Sequence, residues 1–458
     1  MKDSGAWSLL VSIKGMGNVC WASVHSNPFV KSLVGVAVAL TLILISPLRN
    51  IRIGYLHADS LGGLITQADL ALALRDRCTN FGVRSTKDFI IFPVDHSNQF
   101  VAEQYAELFQ KFPATKVLNG PNNLAMRATR LAALGLQHVA VQYPRLRGHY
   151  CGSPTWEGLD ADGFEDDGRP RLVVKAAVRD SGWDSLAYLG LNQEEPFICF
   201  AARDATYWSG RVARVGIAGG GGATQDFRNT TLANYLPGIE RLIKAGYKVV
   251  RMGSGALNYE PLTDLGVIEY ANSSIRSDKL DVILFADCQA AVFGGSFGIA
   301  QLALAFQKPI CVIDYRPFIF TEWSTPYCQL TPSLLRNRET GVILRLDQML
   351  QHPYNVQAMY ELKSLEFVHN TTSDIDSSIR EFLQELEDPE LRSRESDLQR
   401  KFWSVVLEKR PDYSWYPRAN GKGFKRQRYF DPNDYGLVRR KSRVSESFLV
   451  NHSAQLFE

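Results

Sequence analysis

Short apolar runs rich in β-branched and aromatic residues recur through the middle of this chain, separated by stretches with helical spacing. Residues 88–94 (DFIIFPV), 196–202 (PFICFAA) and 309–314 (PICVID) are the clearest. A strand that is apolar throughout is buried on both faces, as in a parallel sheet. Strands that alternate with helices are joined by crossovers into such a sheet. The expected class is therefore α/β.

Two series of these units stand apart. The first has strands at 51–57, 88–94, 116–118 and 138–141, with helices at 64–74, 100–112 and 122–134. The second has strands at 196–202, 247–252, 290–294 and 309–314, with helices at 232–245 and 297–306 and an apolar run at 280–286. Residues 146–190 are rich in Gly, Asp and Pro and read as a connection. The expected organisation is an N-terminal segment over 1–49, an α/β domain with its connection over 50–190, a second α/β domain over 191–375 and a helical, basic tail over 376–458. A length of 458 residues fits two or three domains. With 45% hydrophobic and 22% charged residues, the chain has enough apolar side chains for real cores. A formal net charge of +3 is too balanced to imply nucleic acid as a partner. The seven cysteines form no CxxC pair, so neither a disulfide scaffold nor a zinc site is expected.

Residues 32–48 (SLVGVAVALTLILISPL) carry no charge and lie between Lys31 and Arg49. A spanning helix needs ~20 apolar residues, with about 17 the lower limit. The expectation is a membrane anchor at the N-terminus, with a buried or interfacial helix as the alternative. The run starts too late for a cleaved signal peptide. The protein is then expected at the cytoplasmic face of a membrane, or as a single-pass chain with a lumenal domain. Sequons at Asn229, Asn272, Asn370 and Asn451 matter only in the lumenal case. The tail's basic residues, Arg418 through Arg443, read either as a solvated face or as a contact for anionic lipid.

Candidate chemistry gathers at strand ends of the second domain. Arg203 and Asp204 follow the run 196–202, where an open α/β sheet places its ligands. A guanidinium there is suited to gripping a diphosphate, and a structural Arg–Asp pair is the alternative. Arg228 is a second anion contact, and Asn229 or Thr230 beside it is a helix N-cap candidate. Arg251, before Gly253, ends another strand. Ser296 and Gly298 join a short strand to a helix, where free N–H groups receive anions. Asp278 offers a carboxylate for a ribose or a base edge. The loop Gly219-Gly220-Gly221-Gly222 is no P-loop, since no GK[ST] follows. It reads equally as a lid or an insertion. No HExxH, DxD or paired Cys/His set is present, so no metal and no cofactor are expected.

The stretches FICFAARDATY, DFRNTTLANYLPGIERLIKAGYKVVRMGS, SIRSDKLDVILFADCQAAVFGGSFGIAQLALAFQKPICVIDYRP and IRIGYLHADSLGG resemble a family of glycosyltransferases encoded among bacterial surface-polysaccharide genes. The likeness covers most of residues 50–450. More distantly, the Arg-Asp strand end and the Ser-Phe-Gly turn look like metal-independent fucosyltransferases of the two-Rossmann-domain (GT-B) class. The resemblance implies two Rossmann-like domains facing a cleft. A nucleotide-sugar donor would bind in the second domain and a glycan or lipid-linked acceptor in the first. It also implies metal-independent transfer with inversion. Family members usually carry an Arg after the Asp and a Gly-His pair in the first strand–helix turn. Here that turn reads Asp59-Ser60-Leu61-Gly62-Gly63, without either. Asp59 and His57 are the candidate general bases. Two other readings stay open: a nucleotide-sugar epimerase of the same architecture, and a non-catalytic scaffold of a polysaccharide assembly complex.

Overall fold

The computed structural model describes residues 28–45, 51–56, 60–80, 87–92, 97–112, 114–118, 123–142, 150–151, 170–203, 223–253, 261–295, 298–316, 327–352, 357–409 and 442–458. The chain divides into two compact units: residues 1–97 with 102–158, and 98–101 with 159–458.

The first unit contains α1 (Pro28–Ile45), β1 (Ile51–Tyr55), α2 (Leu61–Asn80), β2 (Lys87–Ile91), all but the first turn of α3 (Gln99–Gln110), β3 (Thr115–Leu118) and α4 (Leu124–Gln142). Its three strands form one parallel sheet in the order β1-β2-β3. Helix α2 begins earlier than its apolar spacing suggests, because the Ser60 hydroxyl accepts the Gly63 N–H at 3.2 Å and caps its first turn. The expected strand over 138–141 is instead the end of α4. Leu136 and Val139, three apart and so on one helical face, pack with Ala39, Leu42 and Tyr150.

That same cluster gives part of the expected anchor the alternative role, that of a buried helix. Helix α1 lies against α4, and a Cβ on Gly35 would collide with the carbonyl oxygen of Gly135. Part of the apolar run, Ala39 and Leu42, is thus buried against α4 and Tyr150. Phe29, Leu33, Leu40 and Leu44 are exposed on the same helix. No helix among the described residues is long and apolar enough to cross a membrane.

The second unit is built on a six-stranded sheet in the order β11-β8-β7-β6-β4-β5, with every pairing parallel. Its strands are β4 (Phe197–Ala202), β5 (Lys248–Arg251), β6 (Ala290–Gly294), β7 (Ile310–Tyr315), β8 (Cys328–Pro332) and β11 (Arg443–Val444). An antiparallel pair of β9 (Leu334–Asn337) and β10 (Leu365–Val368) follows β8. One face of the sheet presents Ile198, Phe200, Val249, Val292 and Ile313, spaced by the period of two that a strand imposes. Against it pack Ile239 and Leu242 of α6 (Leu236–Lys244) and Ile375, Ile379 and Phe382 of α9 (Thr372–Glu387). On the other side, Phe293 stacks on Phe285 of α7 (Asp278–Asp287), and Phe197 meets Trp183 of α5 (Ala176–Leu186) edge-on. Helices on both faces of a parallel sheet make this a doubly wound fold.

Two expected boundaries move. Residues 176–186 belong to the second unit, because Gly182 and Trp183 of α5 sit against Ile283 and Asp287 of α7. The tail is not a separate segment either. Its residues 443–444 add the sixth strand beside β8, and helices α10 (Asp397–Lys409) and α11 (Glu446–Phe457) pack with that unit. Arg443 is therefore not a lipid contact: it pairs with Glu385 at 3.2 Å and Glu381 at 3.6 Å. The other basic residues of the tail, from Arg418 to Lys441, lie outside the described residues.

Candidate anion site at the switch point of the second sheet

Numbered by their order in the chain, the strands of the second sheet run 2-1-3-4-5-6 from the β5 edge. The connection after β4 turns one way to reach β5, and the connection after β6 turns the other way to reach β7. The two crossovers diverge there and open a crevice at the carboxyl ends of β4 and β6. Arg203 and Gly295 are the first residues beyond those ends.

Backbone and side chains knit this point together. Arg203 N–H donates to the Gly294 carbonyl at 3.0 Å, and the Arg203 carbonyl accepts Thr230 N–H at 2.9 Å. The segment 228–230 thereby lies across the strand ends. Only glycine fits beneath it. Gly295 has φ +87°, and a Cβ there would come within 2.9 Å of the Arg228 carbonyl oxygen. At Gly294 a Cβ would meet the Tyr235 hydroxyl at 3.0 Å and Thr230 Oγ1 at 3.1 Å. Arg203 Nε donates to Asn229 Oδ1 at 3.3 Å, and Asn229 Nδ2 donates to Asp226 Oδ1 at 3.2 Å. Both Arg203 and Arg228 are buried.

A second layer lies under this segment. Arg316, fully buried, donates from Nε to the Phe227 carbonyl at 2.5 Å and from Nη2 to the Asn229 carbonyl at 2.6 Å. Its Nη1 reaches Ser333 Oγ at 2.6 Å and Asp314 Oδ1 at 3.2 Å. Asp314 also accepts from the Tyr235 hydroxyl at 2.9 Å and from the Asn370 backbone N–H at 2.9 Å. Burial pushes its carboxyl up, but the Arg316 charge, the neighbouring His369 and the Asn370 N–H overcome this and hold it well below the usual carboxylate range. Asp314 stands at φ +56°, a conformation rare for a residue with a side chain. Such outliers collect where the surrounding structure forces them.

Arg203 and the segment that carries Arg228 thus meet at the strand ends, with Asn229 bonded to Arg203. Arg251 is placed differently. It sits on the edge strand β5 and its Nη1 lies 3.2 Å from both Glu269 oxygens, while Glu269 also accepts the Leu262 N–H at 2.8 Å. Its guanidinium fastens the segment before Tyr270. Asp278 opens α7 and accepts the backbone N–H of Gln99 at 2.8 Å. Gly298 precedes the short helix α8 (Ala300–Ala305), which starts later than expected. His57, Asp59, Asp204, Ser296 and the loop Gly219–Gly222 lie outside the described residues.

Asp314, Arg316, Tyr235, Ser333 and His369 had not been singled out from the sequence. Asp314-Tyr315-Arg316 carries the signal that marked Arg203, an arginine directly after a buried apolar strand. The others have no local signature. Asn370, a sequon residue, is buried and donates to Asp314, so in this fold its amide is not open to glycosylation.

No family model and no curated protein sequence matches the chain. Solved structures similar to it include the ADP-heptose lipopolysaccharide heptosyltransferase II of E. coli, at 15% identity and a TM-score of 0.37, covering 73% of this chain and 99% of that one. A glycosyl transferase family 9 protein from Veillonella parvula matches at 11% identity and a TM-score of 0.35, covering 62% of this chain and 86% of that one. The iron-containing dodecameric glycosyltransferase TibC of enterotoxigenic E. coli matches at 14% identity and a TM-score of 0.35, covering 74% of this chain and 77% of that one. The distant likeness to fucosyltransferases gains nothing from these three. At such identities and TM-scores they carry no argument about activity, and the fold stands on the strand order above.

Proposed function

We propose that the chain is a nucleotide-sugar-dependent glycosyltransferase whose donor diphosphate binds at the switch point of the second unit. The observation that carries this reading is the placement of Arg203 and of the Arg228–Thr230 segment at the ends of β4 and β6, held by Asn229, Thr230 and the two glycines. A diphosphate needs positive charge and N–H donors fixed in advance, in a crevice the backbone can approach closely. As the glycosidic bond breaks, negative charge grows on the leaving nucleoside diphosphate. Two guanidinium groups already in place stabilise it without solvent having to reorganise. Transfer without a metal, with inversion, to a glycan or lipid-linked hydroxyl is the form the sequence resemblance implies. The general base belongs to the first strand–helix turn in the same reading.

The test is thermal unfolding of the full chain with UDP, GDP and ADP. Ligand at 100 times its Kd adds about 2.7 kcal/mol of stability. One nucleotide is expected to raise the melting temperature in a concentration-dependent way, and Arg203→Ala is expected to abolish the rise. No shift with any nucleotide at millimolar concentration would sink the transferase reading and favour a non-catalytic scaffold.

A further inference from the structure

His369, just after β10, stands at the exposed end of the buried network under the switch point. Its side chain is 41% exposed, whereas those of Arg316 and Asp314 are 0% and 1% exposed. Arg316 Nη2 lies 3.3 Å from His369 Nδ1. A guanidinium only donates, so Nδ1 is the acceptor and the ring proton sits on Nε2. The Asp314 Oδ2 atom is 3.8 Å from the same Nδ1, too far for a hydrogen bond. Arg316, and not Asp314, therefore sets the tautomer. The ring presents an N–H from the edge turned away from the buried network.

The same Nη2 nitrogen of Arg316 donates to the Asn229 carbonyl at 2.6 Å. Asn229 in turn receives Arg203 Nε at 3.3 Å. One guanidinium thus fixes two things at once: the loop that holds Arg203 and the imidazole of His369. Burying an arginine completely is costly, and for stability alone a packed apolar side chain serves as well or better. Arg316 spends that cost on geometry at the crevice. It holds two backbone carbonyls and one exposed ring in a fixed relation.

We propose that His369 is a further ligand-binding residue of this site, donating from Nε2–H to a phosphate oxygen of the nucleoside diphosphate, with Arg316 as its positioning residue. This rests on the donor-site reading above. An imidazole held in this way suits the role, since Nε2–H is a directed donor.

The experiment is calorimetric titration of the full chain with UDP, GDP and ADP and with the matching nucleosides, comparing wild type, His369→Ala and His369→Gln. His369 is exposed, so both variants are expected to keep the wild-type melting temperature without ligand. For the nucleotide that binds, His369→Ala is expected to lose affinity by about tenfold or more, the worth of a hydrogen bond to a charged group. Gln carries a side-chain N–H and is expected to stay within about threefold of wild type. Nucleoside binding is expected to be equal in all three. Equal diphosphate affinity in wild type and His369→Ala overturns the proposal and leaves the donor site standing. So does an equal loss in the Gln and Ala variants, which would mean that ring packing on Arg316 was the cause. If wild type binds none of the nucleotides, the donor-site reading fails and takes this inference with it.

Discussion

The hydroxyl of Tyr235 donates to Asp314 Oδ2 at 2.9 Å, joining the start of α6 to the end of β7 across 79 positions of chain. Both groups are buried, and the acceptor is charged. Tyr235→Phe is expected to lower stability by about 1.5–3 kcal/mol, the range for a hydrogen bond to a charged group. The pH dependence follows from the lowered carboxyl of Asp314. A depressed folded value gives stability that is present above the unfolded value of about 3.9 and lost as pH falls below it. Removing a donor to the carboxylate weakens that depression. Urea unfolding at pH 7 and at about pH 2, between the unfolded and the lowered folded value, is expected to show a smaller acid loss in Tyr235→Phe than in wild type.

Asp281 behaves in the opposite sense. Burial raises its pKa to about 6, against the pull of Arg276 at 2.7 Å and Tyr270 at 2.8 Å. A raised folded value means that the native state takes up the proton first. The linked stability is complete below about pH 3.9 and is lost as pH rises through about 6. Between those limits wild type is expected to gain an increment as pH falls that Asp281→Asn lacks. Subtracting the two urea-unfolding pH series isolates it.

Arg251 and Glu269 form a pair with side chains only 5% and 13% exposed. Breaking a buried pair by removing one partner costs about 3–5 kcal/mol, because the other charge is left uncompensated. Arg251→Met and Glu269→Gln are each expected to destabilise strongly, and the double variant by less than their sum. A double-mutant cycle with no coupling would show that the guanidinium has its main role elsewhere.

Gly35 tests the docking of α1. Alanine favours a helix over glycine by up to about 1 kcal/mol, so Gly35→Ala would stabilise a free helix. In the fold its Cβ collides with Gly135, and overpacking costs about 1–3 kcal/mol. The expected outcome is a lower melting temperature and earlier proteolysis within residues 28–45. A rise in melting temperature would mean that α1 does not pack on α4.

The sequence by itself determined the α/β class and most of the strands, because both rest on local pattern. A run such as FICFAA can satisfy its burial only between two layers, and β4, β6 and β7 fall within a residue or so of where that pattern puts them. It also marked Arg203, since an arginine directly after such a run stands at a strand end whatever the topology. Local pattern failed where two structures bury the same residues. The valines at 139 and 141 read as a strand, yet the contact of Val139 with α1 kept them in α4. Only the tertiary structure decided which strands are neighbours, and with that the position of the switch point. It placed the tail's Arg443–Val444 beside β8, more than a hundred residues earlier in the chain, and paired Arg443 with the buried Glu385. It also gathered Asn229, Asp314, Arg316 and His369 into one network. Each is an unremarkable residue in its own stretch. The contacts of Arg316 with His369 and with Asn229 span 53 and 87 positions, and no local propensity carries information over that distance. Hydrogen bonds of this kind exist only once the sheet has brought the strand ends together.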